Sequence, residues 1–429
     1  MIGFLKNSTA RSKEPSYFES AAADIDRMIG EAVEQFRAGD YTPLSEPVKY
    51  NVLWLGFAHV TFGDLDFRMN LSDREYLKAV ALNFEKSVEC ITEHNLDITV
   101  NLHFIEDAFP LTLYDGEDWF YLAQETVQSV IDNYMDECDY DTVFTTIQTE
   151  GEENRTRNAF KSCYGAHYAI LGLCMAGLSA PMPYSTFKLD RPRYGTFPLA
   201  DPEEPSLYAT AVAVHEWMHQ LEYLGTLLDI EYPPTHSYMG PEKYPGYMKY
   251  EADKNDYDFF EFYRQVLSGR VPYSGDKFTR YVGIYPKMWI LTKRSTLRLG
   301  SFTIKDAEGR GYLSGQAGTP SLTLSDAPDR WNIMYSGKGR FVLSPYDMPA
   351  HRIDLSNACD SEGNTVKLWK DTGYYDAQRW KLTPDSKGNY LIRTVLESGR
   401  FITVYREGAA LLLSGRSPGA RKWIIKPAE

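Results

Sequence analysis

Apolar residues recur at helical spacing from 17 to 38 (Phe18, Ala21, Ile25, Met28, Ile29, Val33, Phe36), which predicts an amphipathic helix that Gly39 stops. A strand is predicted over 49–62, and Ser72 with Glu75 reads as a capping-box pair opening a helix that runs to Glu93. Alternation over Ile98–Ile105 gives a second strand, 124–135 a further helix, and 141–147 a third strand. Strand, helix, strand, helix, strand describes an α/β layer. Apolar runs broken by Gly and Pro between Tyr164 and Phe197 predict short strands or an ordered loop. From Ser206 to Leu224 the chain then reads as one long helix, with Pro205 and Ser206 at its start and Gly225 at its stop. After a Tyr-, Pro- and Gly-rich region at 232–250, a last helix is predicted over 256–268, carrying Phe259, Phe260, Phe262, Tyr263 and Val266.

Beyond Leu297 the pattern changes to short strands with frequent Gly and Ser, which marks a domain boundary. Three parts are expected: an N-terminal helical segment, 1–48, packed on a catalytic domain, 49–296, and an all-β domain, 297–429.

With 429 residues and 43% hydrophobic content the chain can bury two or three cores without staples. Its formal charge of -14 disfavours a phosphate backbone or an anionic membrane surface, so nucleic acid is not expected as a partner. The longest apolar stretch, Tyr168–Ala180, is shorter than the roughly 20 residues that cross a bilayer, so membrane insertion is not expected. No secretory signal is visible in MIGFLKNSTARSKEPSYF, which lacks an uninterrupted apolar segment. The five cysteines are widely spaced with no CxxC pair and read as small buried hydrophobes.

The candidate chemistry lies on the helix predicted over 206–224. His215 and His219 stand four apart, so both imidazoles project from one face and can reach a single ion. Glu216 is turned enough to miss the ion yet reach a water beside it and accept its proton. The apolar run ATAVAV ahead of HEWMH drives this helix into the core, where unpartnered polar groups are costly, and that favours a metal over two ordinary core histidines. Catalytic zinc generally takes three protein ligands. His236 is the preferred third, because imidazole suits zinc and two prolines stiffen the PPTH loop; Glu251 is the alternative. Glu222 is expected to orient a ligand imidazole or to form a salt bridge. Tyr238, Tyr244, Tyr247 and Tyr250 are candidates for an oxyanion donor, and none is assigned.

HEWMH on a core helix, after an α/β layer and before a second helix, resembles the zincin metallopeptidases. The resemblance implies an α+β zincin-like catalytic domain, zinc as cofactor and Glu216 as general base. The extended HExxHxxGxxH pattern is absent, since Glu222 and Gly225 stand where its Gly and third His fall. An NExxSD segment is also missing, with YEADKND at 250–256 only faintly similar.

DRW at 329–331, QRW at 378–380 and RKW at 421–423 form a threefold repeat, each preceded by an apolar strand: GYLSG, RIDLS and RFITV. The middle unit resembles the ricin-type β-trefoil lectin repeat. That resemblance implies a trefoil for 297–429, with Trp331, Trp380 and Trp423 as core residues. It implies one carbohydrate-binding site, from Asp354 and Trp369, for a galactose-type glycan. Ser314 and Thr403 replace the Asp in the outer units, and Lys367 and Ala377 depart from the family's amides.

The combined expectation is a zinc metallopeptidase, extracellular or cell-surface, that acts on proteins or glycoproteins and carries a sugar-binding module. Two alternatives are a carbohydrate-binding protein whose zincin domain does not cleave, and a zinc hydrolase of glycan esters or amides.

Overall fold

The computed structural model describes residues 16–113, 120–122, 124–134, 138–149, 173–174, 184–189, 196–201, 204–235, 243–244, 258–275, 279–315, 322–348, 351–370, 376–404, 411–413 and 421–428. Helix α1 (Tyr17–Ala38) opens on a reciprocal cap between Ser16 and Glu19 and ends at Gly39, whose φ of 62° is one that a side chain disfavours. Helix α2 (Leu71–Ile91) is capped by Asn70 with Asp73 rather than by the predicted Ser72 and Glu75. Asn caps as well as Ser, and the earlier pair has its carboxylate buried against the fold.

One sheet organises the first part of the chain. It contains β1 (Val48–Phe57), β2 (Leu96–Ile105), β3 (Thr142–Ile147), β4 (Leu173–Cys174) and β5 (Tyr184–Lys188), in the order β2-β1-β3-β5-β4. All neighbours are parallel except β4, which runs antiparallel to β5 and is the edge among the described strands. The predicted strand 49–62 breaks after Phe57, and His59–Phe62 joins a separate small sheet. VLWLGF is apolar at every position because β1 is covered on both sides. Val52 and Trp54 face the core shared with α2, while Leu53 and Leu55 face Val127 and Ile131 of α3 (Gln124–Asp132).

A hairpin, β6 (Thr196–Asp201) with β7 (Glu204–Leu207), leads into α4 (Tyr208–Leu221). The predicted long helix therefore starts two residues later, because strand pairing claims Pro205 and Ser206, and it breaks at Glu222. A short α5 (Tyr223–Leu228) follows, ended by Asp229 at φ 57°. Gly225 is not the stop. It lies inside α5, where a Cβ would come within 2.7 Å of the Tyr232 Cβ, so it permits close packing. Helix α6 (Asp258–Leu267) buries Phe262, Tyr263, Val266 and Leu267.

The C-terminal part is all-β: β8 (Arg298–Asp306), β9 (Tyr312–Gly315), β10 (Leu322–Ser325), β11 (Arg330–Tyr335), β12 (Phe341–Pro345), β13 (His351–Leu355), β14 (Asn364–Lys370), β15 (Trp380–Pro384), β16 (Tyr390–Thr394), β17 (Ile402–Thr403), β18 (Leu411–Leu413) and β19 (Trp423–Pro427). Strands β8, β11, β12, β15, β16 and β19 pair in a closed ring, and β9–β10, β13–β14 and β17–β18 are hairpins. Trp331, Trp380 and Trp423 are fully buried at the starts of β11, β15 and β19. The indoles of Trp331 and Trp380 donate to the carbonyls of Leu313 and Ile353, each at 3.0 Å, so two of the three repeats share one internal bond.

Helix α1 spans both parts. Phe36 packs on Tyr285 at 5.2 Å between ring centres, whereas Phe18 packs on Phe302, Phe341 and Tyr390 of the barrel at 5.3 to 5.7 Å. The segment expected to lie on the catalytic domain thus also closes the barrel's aromatic surface, and the apolar core runs without a break through residue 297.

Candidate metal centre

Helix α4 is apolar nearly all round, with Ala209–Val214, Trp217, Met218 and Leu221 buried, which is the pattern of a helix embedded in a core. Polar contacts fix its rotation. Gln220 accepts from the Thr142 hydroxyl and donates to Ser185 Oγ at 2.7 Å, while the Trp217 indole donates to Tyr50 Oη at 3.1 Å. These ties hold α4 across β1, β3 and β5, and they turn His215, Glu216 and His219 to one side.

The two imidazoles lie 4.8 Å apart between ring centres with their planes at 89°. Each has its Nδ1 engaged. His215 Nδ1 is hydrogen-bonded to the Tyr263 hydroxyl, and His219 Nδ1 lies 3.2 Å from Glu222 Oε1. If Nδ1 carries the proton in both rings, Nε2 is the nitrogen that would ligate a metal. Glu216 is buried, its Oε1 is 3.5 Å from His215 Nε2, and burial pushes its carboxyl up to about 8. Glu222 behaves oppositely: burial would raise it, but the His219 ring and the Thr235 backbone N–H together hold it below its ordinary value. The Thr235 N–H donates to Glu222 Oε1 at 2.8 Å, so after α5 the chain has come back to the motif by residue 235.

Among the described residues no group of three or more His, Cys, Asp and Glu is placed to hold a metal. His236 and Glu251 lie outside the described residues, as do Tyr238, Tyr247 and Tyr250. Tyr244 is buried and donates to Glu231 Oε1 at 2.8 Å. Tyr263 escaped sequence reasoning, since one tyrosine among 31 carries no signal for a contact made 48 residues along the chain.

In the barrel part, Asp354 on β13 pairs across the hairpin with Lys367, and Arg352 pairs with Trp369, so all four side chains belong to one face. Asp354 is nearly buried; burial raises its carboxyl, against a hydrogen bond from Gln378 and the charge of Lys367. Trp369 is 46% exposed, and Lys367 Nζ sits 3.9 Å from the centre of its ring. Gln378, the first residue of the QRW repeat, also donates to the Lys370 carbonyl at 2.9 Å and braces this hairpin. Ser314 and Thr403, at the positions corresponding to Asp354, are buried.

The chain is therefore a mixed α/β protein with an all-β C-terminal part and an HExxH helix at its centre. No family model matches it, and no curated protein matches it. Among solved structures, it is similar to the designed 3-fold symmetric protein ThreeFoil at 19% identity and TM-score 0.27, over 29% of this chain and 97% of that one. A salivary protein from Culex of the Cysteine and Tryptophan-Rich family gives 20% identity and TM-score 0.27, over 31% and 96%. A GlcNAcα1-4Gal-releasing endo-β-galactosidase from Clostridium perfringens gives 12% and 0.27, over 30% and 33%. Likenesses at this level carry no argument about this chain's activity.

Proposed function

We propose that the chain is a zinc-dependent hydrolase of the metallopeptidase type, with a ricin-type trefoil that binds glycans. The observation that carries the reading is the pair of imidazoles on α4, each tied through Nδ1, beside the buried carboxyl of Glu216. Two neutral imidazoles are donors that fit zinc, and His236 is the third, because it follows Thr235, which already bonds Glu222 beside His219. A bound zinc ion would act as the Lewis acid that polarises the scissile carbonyl. Glu216 takes the proton of the attacking water and returns it to the leaving amine. Among the described strands antiparallel β4 is the sheet edge, and it packs beside α4, the place where an extended peptide would add as a further strand. This favours a peptide substrate over a glycan ester, and the intact Glu216 argues against a non-cleaving zincin.

The substrates are proteins or glycoproteins outside the cell or on its surface, held close by Asp354 and Trp369. Glu216→Gln is expected to keep fold and zinc while turnover on a denatured-protein peptide library, read by mass spectrometry, falls about 10²–10⁴-fold. Unchanged cleavage moves the chemistry elsewhere, and release of acyl groups from acylated sugars with no peptide cut selects the glycan-hydrolase reading. Trp369→Ala in the full chain is expected to abolish weak retention on densely displayed galactose-type glycans. Equal retention by wild type and variant removes the sugar site.

A further inference from the structure

The hydrogen bond between Tyr263 and His215 ties α6 to the motif helix. Tyr263 is fully buried, in a helix where Phe262, Val266 and Leu267 are also buried. A buried phenol is tolerated where its hydroxyl meets a polar partner, and here that partner is an imidazole of the HExxH pair. We infer that Tyr263 is a positioning residue of the site: its oxygen accepts the Nδ1–H of His215 and holds the ring in the tautomer whose lone pair is on Nε2. The inference deepens the zinc reading and rests on it for the consequence at the metal, but the tautomer is a property of the chain alone.

A neutral imidazole carries one N–H, and a phenol can either accept from it or donate to the lone pair, so the direction of this bond and the tautomer are one property; acceptance at Nδ1 leaves the lone pair on Nε2. His219 receives the same setting from Glu222, at 3.2 Å. The two rings are thus set alike by different elements, one by a carboxylate at the break between α4 and α5 and the other by a neutral phenol on α6. The difference has a chemical reason. His215 Nε2 lies 3.5 Å from the buried carboxyl of Glu216, and a second carboxyl behind the same ring would add another group that is costly to ionise there. The Tyr263 phenol puts an oxygen at Nδ1 without that cost. It also makes the angle of the His215 ring depend on how α6 docks, so α6 belongs to the site.

The test uses the full chain with metal removed and its histidines labelled with ¹⁵N. The His215 resonances should report the Nδ1–H tautomer in the wild type. In Tyr263→Phe, which keeps the ring and its packing, they should shift to a mixture, and zinc affinity by competition titration should fall about 10–100-fold, with the metal-free melting temperature little changed. An Nε2–H tautomer in the wild type, or a Tyr263→Phe protein with unchanged tautomer and affinity, overturns the inference. A Tyr263-dependent Nδ1–H tautomer in a wild type that takes up no zinc supports the positioning role and sinks the metal reading instead.

Discussion

The proposed general-base role sets two demands on Glu216 that conflict without a metal. A general base must be ionised, yet burial alone pushes this carboxyl up to about 8, against an ordinary value of 4.5. A divalent cation beside it favours the ionised form and resolves the conflict. In the metal-free protein the folded-state value lies above the unfolded one, so the folded form binds the proton more tightly. The stabilising contribution is complete below about pH 4.5 and is lost as pH rises through 8, a difference of order 5 kcal/mol. Chelator-treated wild type should therefore lose more melting temperature between pH 5 and 8 than Glu216→Gln, whose amide does not titrate. Parallel curves contradict the buried, protonated Glu216. The pairing of His215 with His219 was legible because a spacing of four puts both rings on one helix face. The Tyr263 contact and the bracing bond from Gln378 were not, because only the tertiary fold makes them.

Helices with strong periodicity, such as α1 and α6, were readable within a residue or two, because their apolar stripe is what buries them. The errors came where a local signal met a tertiary competitor. Pro205 and Ser206 look like a helix start, but β7 pairs with β6 and takes them. Gly225 looks like a helix stop, but the close approach of Tyr232 requires it inside α5. The break at Glu222 matters for the site, since it lets the chain double back so that Thr235 reaches the Glu222 carboxylate. From that return, His236→Ala should weaken zinc binding far more than Glu251→Ala in a metal titration, because losing a ligand costs more than losing a neighbour. The reverse order makes Glu251 the third ligand and leaves the loop after α5 with a supporting role.

Helix α1 packs on both parts of the molecule. Phe18 fills the aromatic surface formed by Phe302, Phe341 and Tyr390, and Phe36 packs beside Tyr285, so the barrel is not a loosely tethered appendage. Under the proposed function, a link of this kind would hold a glycan-bound protein at a set position relative to the α4 site. That gain requires the α4 site to be a metal centre. Direct metal analysis of the purified full-length protein tests this with least inference: about one zinc per chain is expected, retained through gentle purification and lost with His215→Ala. Metal content near zero, with no uptake when zinc is added back, contradicts the account.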